Sequence, residues 1–269
     1  MIGFNYLGKL GQLGNQMFQY SSLKGIANQN GYNYCIPNHN EIFEDGLGNR
    51  LHIELFKPFV LENFSDLNVQ LIDGDRPVVQ EGSFHFNEEL FNNCPDWVCL
   101  HGFFQTEKYF KNIEQEIRED FKFNDDILIP CKEMMDDFGE PPLSLHIRRG
   151  DFLINSANHH NLGLDYYEKA LAEFPMEVPV LIFSDDPEWC SEQELFADDR
   201  FLVAEGNSPY VDMCLMSLCE GHIIANSSFS WWGAWLANSQ KVVAPSIWFG
   251  PNNAHLDIKD LYLDHWEVI

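Results

Sequence analysis

Basic residues are scarce in this chain. Its 269 residues include 16 Lys and Arg against 42 Asp and Glu, which gives a formal net charge of −26 at pH 7. Nucleic acids and anionic membranes attract proteins through Lys and Arg, so binding to either is disfavoured. A small anionic ligand would be repelled at long range. A site for such a ligand therefore needs a local cluster of basic side chains.

Several other signals are missing. There is no run of about 18 uncharged apolar residues, so the sequence predicts no transmembrane segment. The first residues lack the basic and apolar regions of a secretory signal. The seven cysteines contain no C-x-x-C pair, which favours reduced thiols and a cytoplasmic location. No H-E-x-x-H motif or Cys/His ligand spacing is present, so we predict no metal site.

The remaining composition is that of a globular protein. Hydrophobic residues make up 45% of the chain and charged residues 22%, and the length favours roughly two domains. From residue 143 onward, strand-like and helix-like segments alternate, which predicts a doubly wound parallel α/β layer. Residues 2–37 predict one further βαβ unit, with a helix that ends at Gly31. We therefore expect two lobes with a cleft between them.

The boundary between the lobes is predicted in the middle of the chain. Residues 105–121 predict one amphipathic helix, because Tyr109, Ile113 and Ile117 fall on one stripe. Residues 124–142, which contain Gly139 and a Pro-Pro pair, predict a linker. We assign residues 1–130 to an N-terminal lobe and residues 131–269 to a C-terminal lobe. The last residues of the chain could pack back on the N-terminal lobe.

The sharpest motif is LHIRRGDF at 145–152. It places Arg148, Arg149 and Asp151 at the carboxyl end of a predicted strand, where doubly wound sheets bind ligands. A guanidinium binds phosphate through paired hydrogen bonds, so the two arginines are candidates for neutralising a diphosphate. Asp151 could orient an arginine or act as a base. The alternatives are a structural Arg–Asp ion pair and, for His146, a buried histidine of the core.

Three further motifs combine a polar turn with the start of a helix. In FSDDPEW, Asp185 either meets a ribose or nucleobase or, like Asp186, simply caps a helix. In ANSSFSWWGAW, residues 226–230 are either an anion site at a helix N-terminus or an ordinary cap, and the tryptophans are core. In GQLGNQMFQ, Asn15 and Gln16 are neutral donors at a loop tip, or part of a tight βα turn.

Five segments in this order, GxLGNQMFQY, LHGFFQTEKYF, SLHIRRGDF, FSDDPEW and NSSFSWWGAWLA, resemble the bacterial alpha-1,2-fucosyltransferase family. The resemblance extends over nearly the whole chain, and its HxRRxD element is similar to that of other GDP-fucose-dependent transferases. It implies a GT-B type α/β fold, with two Rossmann-like lobes facing a central cleft. It also implies inverting transfer of L-fucose from GDP-beta-L-fucose to the 2-OH of a terminal galactose, with no metal and no cofactor.

The resemblance also implies roles for individual residues. The N-terminal lobe would be the acceptor side and the C-terminal lobe would bind the GDP-sugar. The implied catalytic residues are His146, Arg148 and Asp151. The implied donor-binding residues are Asn15, Gln16, Arg148, Arg149, Asp185, Asn226, Ser227, Ser228, Phe229 and Ser230. The implied acceptor-side residues are Gln105 and Glu107.

The chain departs from the family pattern at three positions. It has Gln12 where a second glycine is usual, Phe152 where tyrosine is usual, and Thr106 where serine is common. The changes at Gln12 and Thr106 bear on the acceptor side. For the general base, Asp151 is the first candidate, and Glu107 and Glu81 are the next ones.

Two alternatives remain open beside L-fucose transfer. The chain could use another GDP-6-deoxyhexose, since no motif reports on the sugar pocket, or it could bind a GDP-sugar without transferring it. The expected partners are GDP-fucose and a galactose-terminated glycan. Peripheral contact with a lipid-linked acceptor is a further alternative. Nucleic acid is not expected as a partner.

Overall fold

The computed structural model describes residues 1–44 and 50–269. The chain divides into two compact units. Unit 1 comprises Met1–Asn124 and Asp257–Leu261, and unit 2 comprises Asp125–Leu256 and Tyr262–Ile269. The predicted boundary after residue 130 lies a few residues beyond this division, inside a helix of unit 2. The acceptor-side and donor-side roles of the lobes stay predictions.

Unit 1 is built on a parallel sheet. Its strands are β1 (Ile2–Gly3), β2 (Tyr34–Cys35), β3 (Phe43–Glu44), β4 (Arg50–Leu51), β5 (Val78–Gln80) and β6 (Val98–His101). Its helices are α1 (Leu13–Asn30), α2 (Glu88–Asn93) and α3 (Glu114–Asp120), with 3-10 turns at Asp66–Asn68, Glu107–Tyr109 and Lys111–Ile113. The sheet has the order β2-β1-β6-β5, and β3 pairs with β4 in antiparallel fashion.

Helix α1 is buried along most of its length although it is rich in polar residues. One of them, Lys24, forms an ion pair with Asp120 of α3, and both side chains are buried. The helix ends as predicted at Gly31, which adopts the left-handed conformation with φ of 68°. Its start differs from the prediction, because Asn15 and Gln16 lie in the first helical turn and not at a loop tip.

Two predictions for the middle of the chain were wrong. Residues 105–121 do not form one helix, because the backbone leaves the helical region at Phe110, with φ of −135°. This segment packs closely on α1 at Gly25, whose carbonyl accepts a hydrogen bond from Asn112. Most of the predicted linker 124–142 is helical despite Pro130. Pro130 removes one N–H donor, and the segment stays helical with Cys131 buried.

Unit 2 alternates strands and helices, as predicted. Its strands are β7 (Leu143–Ile147), β8 (Val180–Ser184), β9 (Phe201–Val203), β10 (Gly221–Ile223), β11 (Lys241–Ala244) and β12 (Glu267–Val268). Its helices are α4 (Asp125–Asp136), α5 (Gly150–Ile154), α6 (Leu164–Leu171), α7 (Pro187–Ser191), α8 (Pro209–Leu218) and α9 (Ser228–Ala237), with 3-10 turns at Glu194–Phe196 and Pro251–Asn253. Residues 187–196 thus contain two short elements and not one longer helix.

The sheet of unit 2 is parallel, with the order β12-β11-β10-β7-β8-β9. From β7 the chain moves outward through β8 to β9, and it then returns to β10 on the other side of β7. This is the doubly wound order of a dinucleotide-binding fold. In such sheets ligands bind outside the carboxyl ends of the strands where the order reverses, which here is between β7 and β10.

Alternation along β7 decides which side chains remain for a site. Leu143, Leu145 and Ile147 share one face of the strand and pack with Tyr166 and Tyr167 of α6. His146 therefore lies on the opposite face. The predicted core role of the tryptophans is confirmed: Trp231, Trp232 and Trp235 of α9 are fully buried.

The cysteines and helices bear on two further expectations. All seven cysteines are buried and none is in a disulfide. Within the described residues, no helix has both the length and the apolar character that crossing a bilayer requires.

Candidate functional site

His146 connects the two loops at the switch point of unit 2. Its ring Nδ1 lies 2.9 Å from Ser230 Oγ, in the first turn of α9. The ring is buried and packs 5.7 Å from the ring of Phe229. Burial, with a smaller contribution from Arg148, lowers the pKa of His146 to about 3, so the ring is neutral near pH 7. This geometry favours a positioning role over proton transfer.

Arg148 is held by two carboxylates. Its Nη2 lies 2.6 Å from Asp151 Oδ1, and its Nη1 lies 3.1 Å from Asp185 Oδ2. A guanidinium has five N–H donors, so these contacts engage part of the fork. The structural ion pair that the sequence left as an alternative is therefore present, and it also orients Arg148 at the carboxyl end of β7.

Arg149 is fixed from three sides. Its backbone N–H donates to Asp185 Oδ1 at 2.8 Å, and its Nε lies 3.0 Å from Asp186 Oδ2. Its guanidinium lies 3.8 Å from the ring centroid of Trp189, a cation–π distance. Asp186 also caps α7 by accepting from the N–H of Trp189 at 3.3 Å. Asp186 therefore takes the capping role that the sequence left as an alternative, and the contact of Asp185 with a ribose or nucleobase stays a prediction.

Gly150 allows the loops after β7 and β8 to meet. A Cβ at this position would lie 2.5 Å from Asp185 Oδ2, which is closer than van der Waals contact permits. A larger residue would displace Asp185 from the two arginines. The glycine of the HIRRGD motif is therefore explained by the close approach of a carboxylate.

The loop after β10 leads into α9. Ser227 caps this helix, since its Oγ accepts from the N–H of Phe229 at 3.3 Å. The Asn226 amide donates to the carbonyls of His160 and Trp248 at 2.9 and 2.8 Å. Asn226 thus holds neighbouring loops, and its predicted contact with a donor stays a prediction. The first turn of α9 contains no acidic residue, so its backbone amides, including that of Ser228, offer partial positive charge to an anion.

The charges of this cluster nearly cancel. Arg148 and Arg149 contribute two positive charges, and Asp151, Asp185 and Asp186 contribute three negative ones. The carboxylates hold the guanidinium groups in place but compete with any anionic ligand for them. An anion at this position would therefore need the N-terminus of α9 as well as the N–H groups of the two arginines.

The predicted residues of the N-terminal part lie in unit 1. The Gln105 amide donates to Asn15 Oδ1 at 2.6 Å, so these two residues are together. Gln16 is buried and committed to the backbone: its Nε2 donates to the carbonyl of His52, and its Oε1 accepts from the N–H of Glu54. Glu107 lies 3.3 Å from Lys111 as an ion pair.

The sequence did not reveal every residue that the structure makes important. Trp189 lies in the FSDDPEW motif, but no spacing rule connects it with Arg149. Glu81 was ranked behind Asp151 as a candidate for the general base. Its hydrogen-bond partners are backbone amides of another loop, and the sequence does not indicate such contacts. Within residues 1–44 and 50–269, no group of three or more His, Cys, Asp and Glu side chains is arranged to hold a metal.

Two Rossmann-like units, with arginines and a helix N-terminus at the switch point of the second, have the features with which such folds bind nucleotide-type anions. The chain belongs to Glycosyl transferase family 11, whose model matches residues 2–269. The resemblance seen in the sequence is thereby confirmed.

Individual relatives place the chain more finely. An alpha-1,2-colitosyltransferase of Escherichia coli is 33% identical over 89% of this chain and 90% of its own length. The galactoside alpha-(1,2)-fucosyltransferase 1 of Homo sapiens is 23% identical over 86% of this chain and 65% of its own length. The chain thus spans less than two thirds of the length of several curated relatives.

Solved structures show the same fold. A crystal structure of POFUT1 in complex with GDP-fucose has a TM-score of 0.58 to this chain, at 10% identity, over 90% of this chain and 96% of that one. The predicted α/β class of GT-B type with Rossmann-like units is confirmed.

Proposed function

We propose that this chain transfers a 6-deoxyhexose, with L-fucose as the first candidate, from a GDP-linked donor to a glycan hydroxyl. The acceptor group is the 2-OH of a terminal galactose, and the anomeric configuration is inverted. The observation that carries the proposal is the contact between His146 and Ser230. It connects the arginine cluster after β7 with the N-terminus of α9 at the switch point of unit 2.

This arrangement fits the charge that a GDP leaving group develops. As the bond between the sugar C1 and the phosphate oxygen breaks, negative charge grows on the diphosphate. Oriented N–H groups stabilise such charge without having to reorganise. Arg148 and Arg149 would act from one loop and the positive end of α9 from the other. The transition state would be oxocarbenium-like, and the donor would need no metal.

The choice of sugar rests on the relatives. The POFUT1 complex contains GDP-fucose, which supports a GDP-linked donor. The colitosyltransferase is more similar to this chain, at 33% identity, than the human fucosyltransferase at 23%. This higher identity is the reason why GDP-linked colitose is the second candidate donor. Colitose lacks the 3-hydroxyl group of L-fucose, so the two donors differ at one position.

Calorimetry with GDP, UDP and ADP in the presence of a chelator tests the donor site. We expect GDP to bind at least about tenfold more tightly than UDP or ADP, which corresponds to about 1.4 kcal/mol. Equal binding of the three nucleotides, or no binding by folded protein, would contradict the proposal.

Turnover then separates the candidate functions. Purified protein is incubated with GDP-fucose or GDP-colitose and a lactose-type acceptor, and GDP release and the linkage of the product are measured. A new α-1,2 linkage with fucose supports the first candidate, and a preference for colitose supports the second. GDP binding without GDP release from either donor would indicate a binding protein.

A further inference from the structure

Glu81 occupies a defined position at the carboxyl edge of the unit 1 sheet. It directly follows β5, and its N–H donates to the carbonyl of His101 at the end of β6, at 2.8 Å. Its Oε2 accepts from the N–H of Phe103 at 2.7 Å, and its Oε1 accepts from the N–H of Phe104 at 2.9 Å. Two consecutive amides thus fix both oxygens of one carboxylate.

The loop that supplies these amides is strained at Phe104, whose φ of 54° is rare for a bulky residue. The neighbouring Gly102 has φ of 157°, which glycine adopts without steric cost. A Cβ at Gly102 would lie 2.7 Å from Glu81 Oε2. The Gln19 amide holds the loop by donating to the Gly102 carbonyl at 3.2 Å. Strain of this kind is concentrated at functional sites, where the surrounding structure maintains it.

The surface beside Glu81 has the chemistry of a saccharide site. Tyr6 and Phe103 are 39% and 36% exposed, although both are large aromatic residues. The ring of Tyr6 meets His101 edge-on at 4.6 Å. Binding sites combine apolar and aromatic surface with a few fixed polar groups. Here Glu81 and the hydrogen-bonded amides of Asn15 and Gln105 are the polar groups of the same unit.

The other two candidate bases are held by cations. Asp151 lies 2.6 Å from Arg148, and Glu107 lies 3.3 Å from Lys111. These two carboxylates are therefore committed to a cation, whereas the hydrogen bonds to the oxygens of Glu81 come from neutral N–H groups. For Glu81, burial raises the pKa to about 7, although the hydrogen bonds from Phe103 and Phe104 act in the opposite direction. A general base works best with a pKa near the operating pH.

We propose that Glu81 is the general base that takes the proton from the acceptor hydroxyl, in a reaction that rests on the proposed function. The acceptor oxygen forms a bond to C1 of the donor sugar while the bond from C1 to the β-phosphate oxygen breaks. The electron pair of that bond leaves with GDP, and the hydroxyl proton moves to a carboxylate oxygen of Glu81. The Phe103 and Phe104 amides keep the carboxylate oriented during this transfer.

Other titratable groups of unit 1 lie around Glu81 and must be separated from it. His101 ends the neighbouring strand β6. Tyr109 interacts electrostatically with both Glu81 and Asp260. Lys108 lies in the same 3-10 turn as Tyr109 and pairs with Asp260 at 2.6 Å. Of these groups, we choose His101 as the control position, because it is the histidine of the neighbouring strand.

The first test is the E81Q variant, with E62Q as the matched control because Glu62 is an exposed glutamate of the same unit. We expect E81Q to lower kcat by about 100-fold or more, the usual contribution of a general base. Its affinity for GDP should remain within about twofold of that of the wild type, and E62Q should match the wild type in both. Turnover of E81Q within threefold of the wild type, with GDP still bound, overturns the proposal.

The pH profile is the second test and does not depend on how E81Q folds. The wild-type kcat/KM should fall about tenfold per pH unit below pH 7, as Glu81 becomes protonated. The H101Q variant should keep this limb whatever its absolute rate, and E81Q should lose it if that variant is folded. A flat wild-type profile between pH 5 and 8, or loss of the limb in H101Q, overturns the assignment.

A failure of the proposed function would look different. In that case the wild type itself would release no GDP from either donor. The stability of the folded protein then still tests the environment of Glu81. Because its pKa is higher in the folded than in the unfolded state, wild-type stability should decrease relative to E81Q as the pH rises from 5 to 8.

Discussion

The candidate carboxylates of unit 1 and those of unit 2 are held in opposite ways. In unit 2, Asp151, Asp185 and Asp186 each pair with an arginine. In unit 1, Glu81 is held by two neutral amides, and burial raises its pKa to about 7. The ion-paired carboxylates orient their arginine partners, whereas a desolvated carboxylate such as Glu81 can exchange a proton near pH 7. The environment of a carboxylate, more than its residue type, thus indicates its role.

The largest expected effect, apart from that of E81Q, is on the arginine side of this comparison. R148A should lower kcat/KM by about 100-fold to 1,000-fold, or roughly 3–4 kcal/mol, because an oriented donor to the leaving group is lost. It also leaves Asp151 and Asp185 without Arg148, so GDP affinity should decrease. Steady-state kinetics and calorimetry measure both, with R118A as the control because Arg118 pairs with Glu114 on a surface of unit 1. Near-normal turnover by R148A would contradict the role of the arginine cluster.

A smaller effect is expected where the two loops of unit 2 approach each other. G150A places a Cβ 2.5 Å from Asp185 Oδ2, so Asp185 must move away from both arginines. We expect a loss of about 1–3 kcal/mol in unfolding free energy, typical of overpacking, and a roughly tenfold lower kcat/KM. Thermal denaturation and kinetics measure these effects. G74A is the control, since a Cβ at Gly74 meets no atom within 4 Å, and equal behaviour of the two variants would remove this explanation of Gly150.

The smallest effect concerns the sign of the pH dependence. Burial lowers the pKa of His146 to about 3, below its unfolded value of about 6.5. The unfolded state therefore binds the extra proton first, and this histidine destabilises the fold by about 2 kcal/mol at pH 5. The stability advantage of the wild type over H146Q should shrink as the pH falls from 6.5 to 5. This trend is opposite to the one expected for Glu81, which destabilises as the pH rises.

Denaturation of H146Q and E81Q, each compared with the wild type across pH 5–8, separates the opposite pH trends expected for His146 and Glu81. Parallel curves for the wild type and H146Q would mean that the pKa of His146 is the same in the folded and unfolded states. The folded protein would then charge this ring below about pH 6.5, where its contact with Ser230 would be a charged hydrogen bond.

The sequence predicted unit 2 well because its signals are local. Period-two alternation in LSLHI, the continuous apolar run VLIFS and helix starts such as Ser208-Pro209 define the elements directly. Their alternation then implies the parallel order. The arginine motif at the end of β7 was also visible, because its neighbours in sequence are its neighbours in space.

Unit 1 shows where local signals fail. The role of Gln16 depends on His52 and Glu54, and that of Glu81 depends on a loop about twenty residues away. No periodicity reports on such contacts. The segment over 105–121 had a helical stripe, but close packing of its backbone on Gly25 of α1 decides its conformation. Tertiary packing overrides local preference at these positions.

The contact between His146 and Ser230 also has a consequence for biosynthesis. The two residues are 84 positions apart, although they belong to neighbouring strand ends. At about 5–20 residues per second, a ribosome needs roughly 4–17 s to make the intervening chain. During that time β7 has left or is leaving the exit tunnel without β10, its neighbour on one side. The arginine cluster can reach its final arrangement with α9 only late in synthesis, when nearly the whole of unit 2 is available.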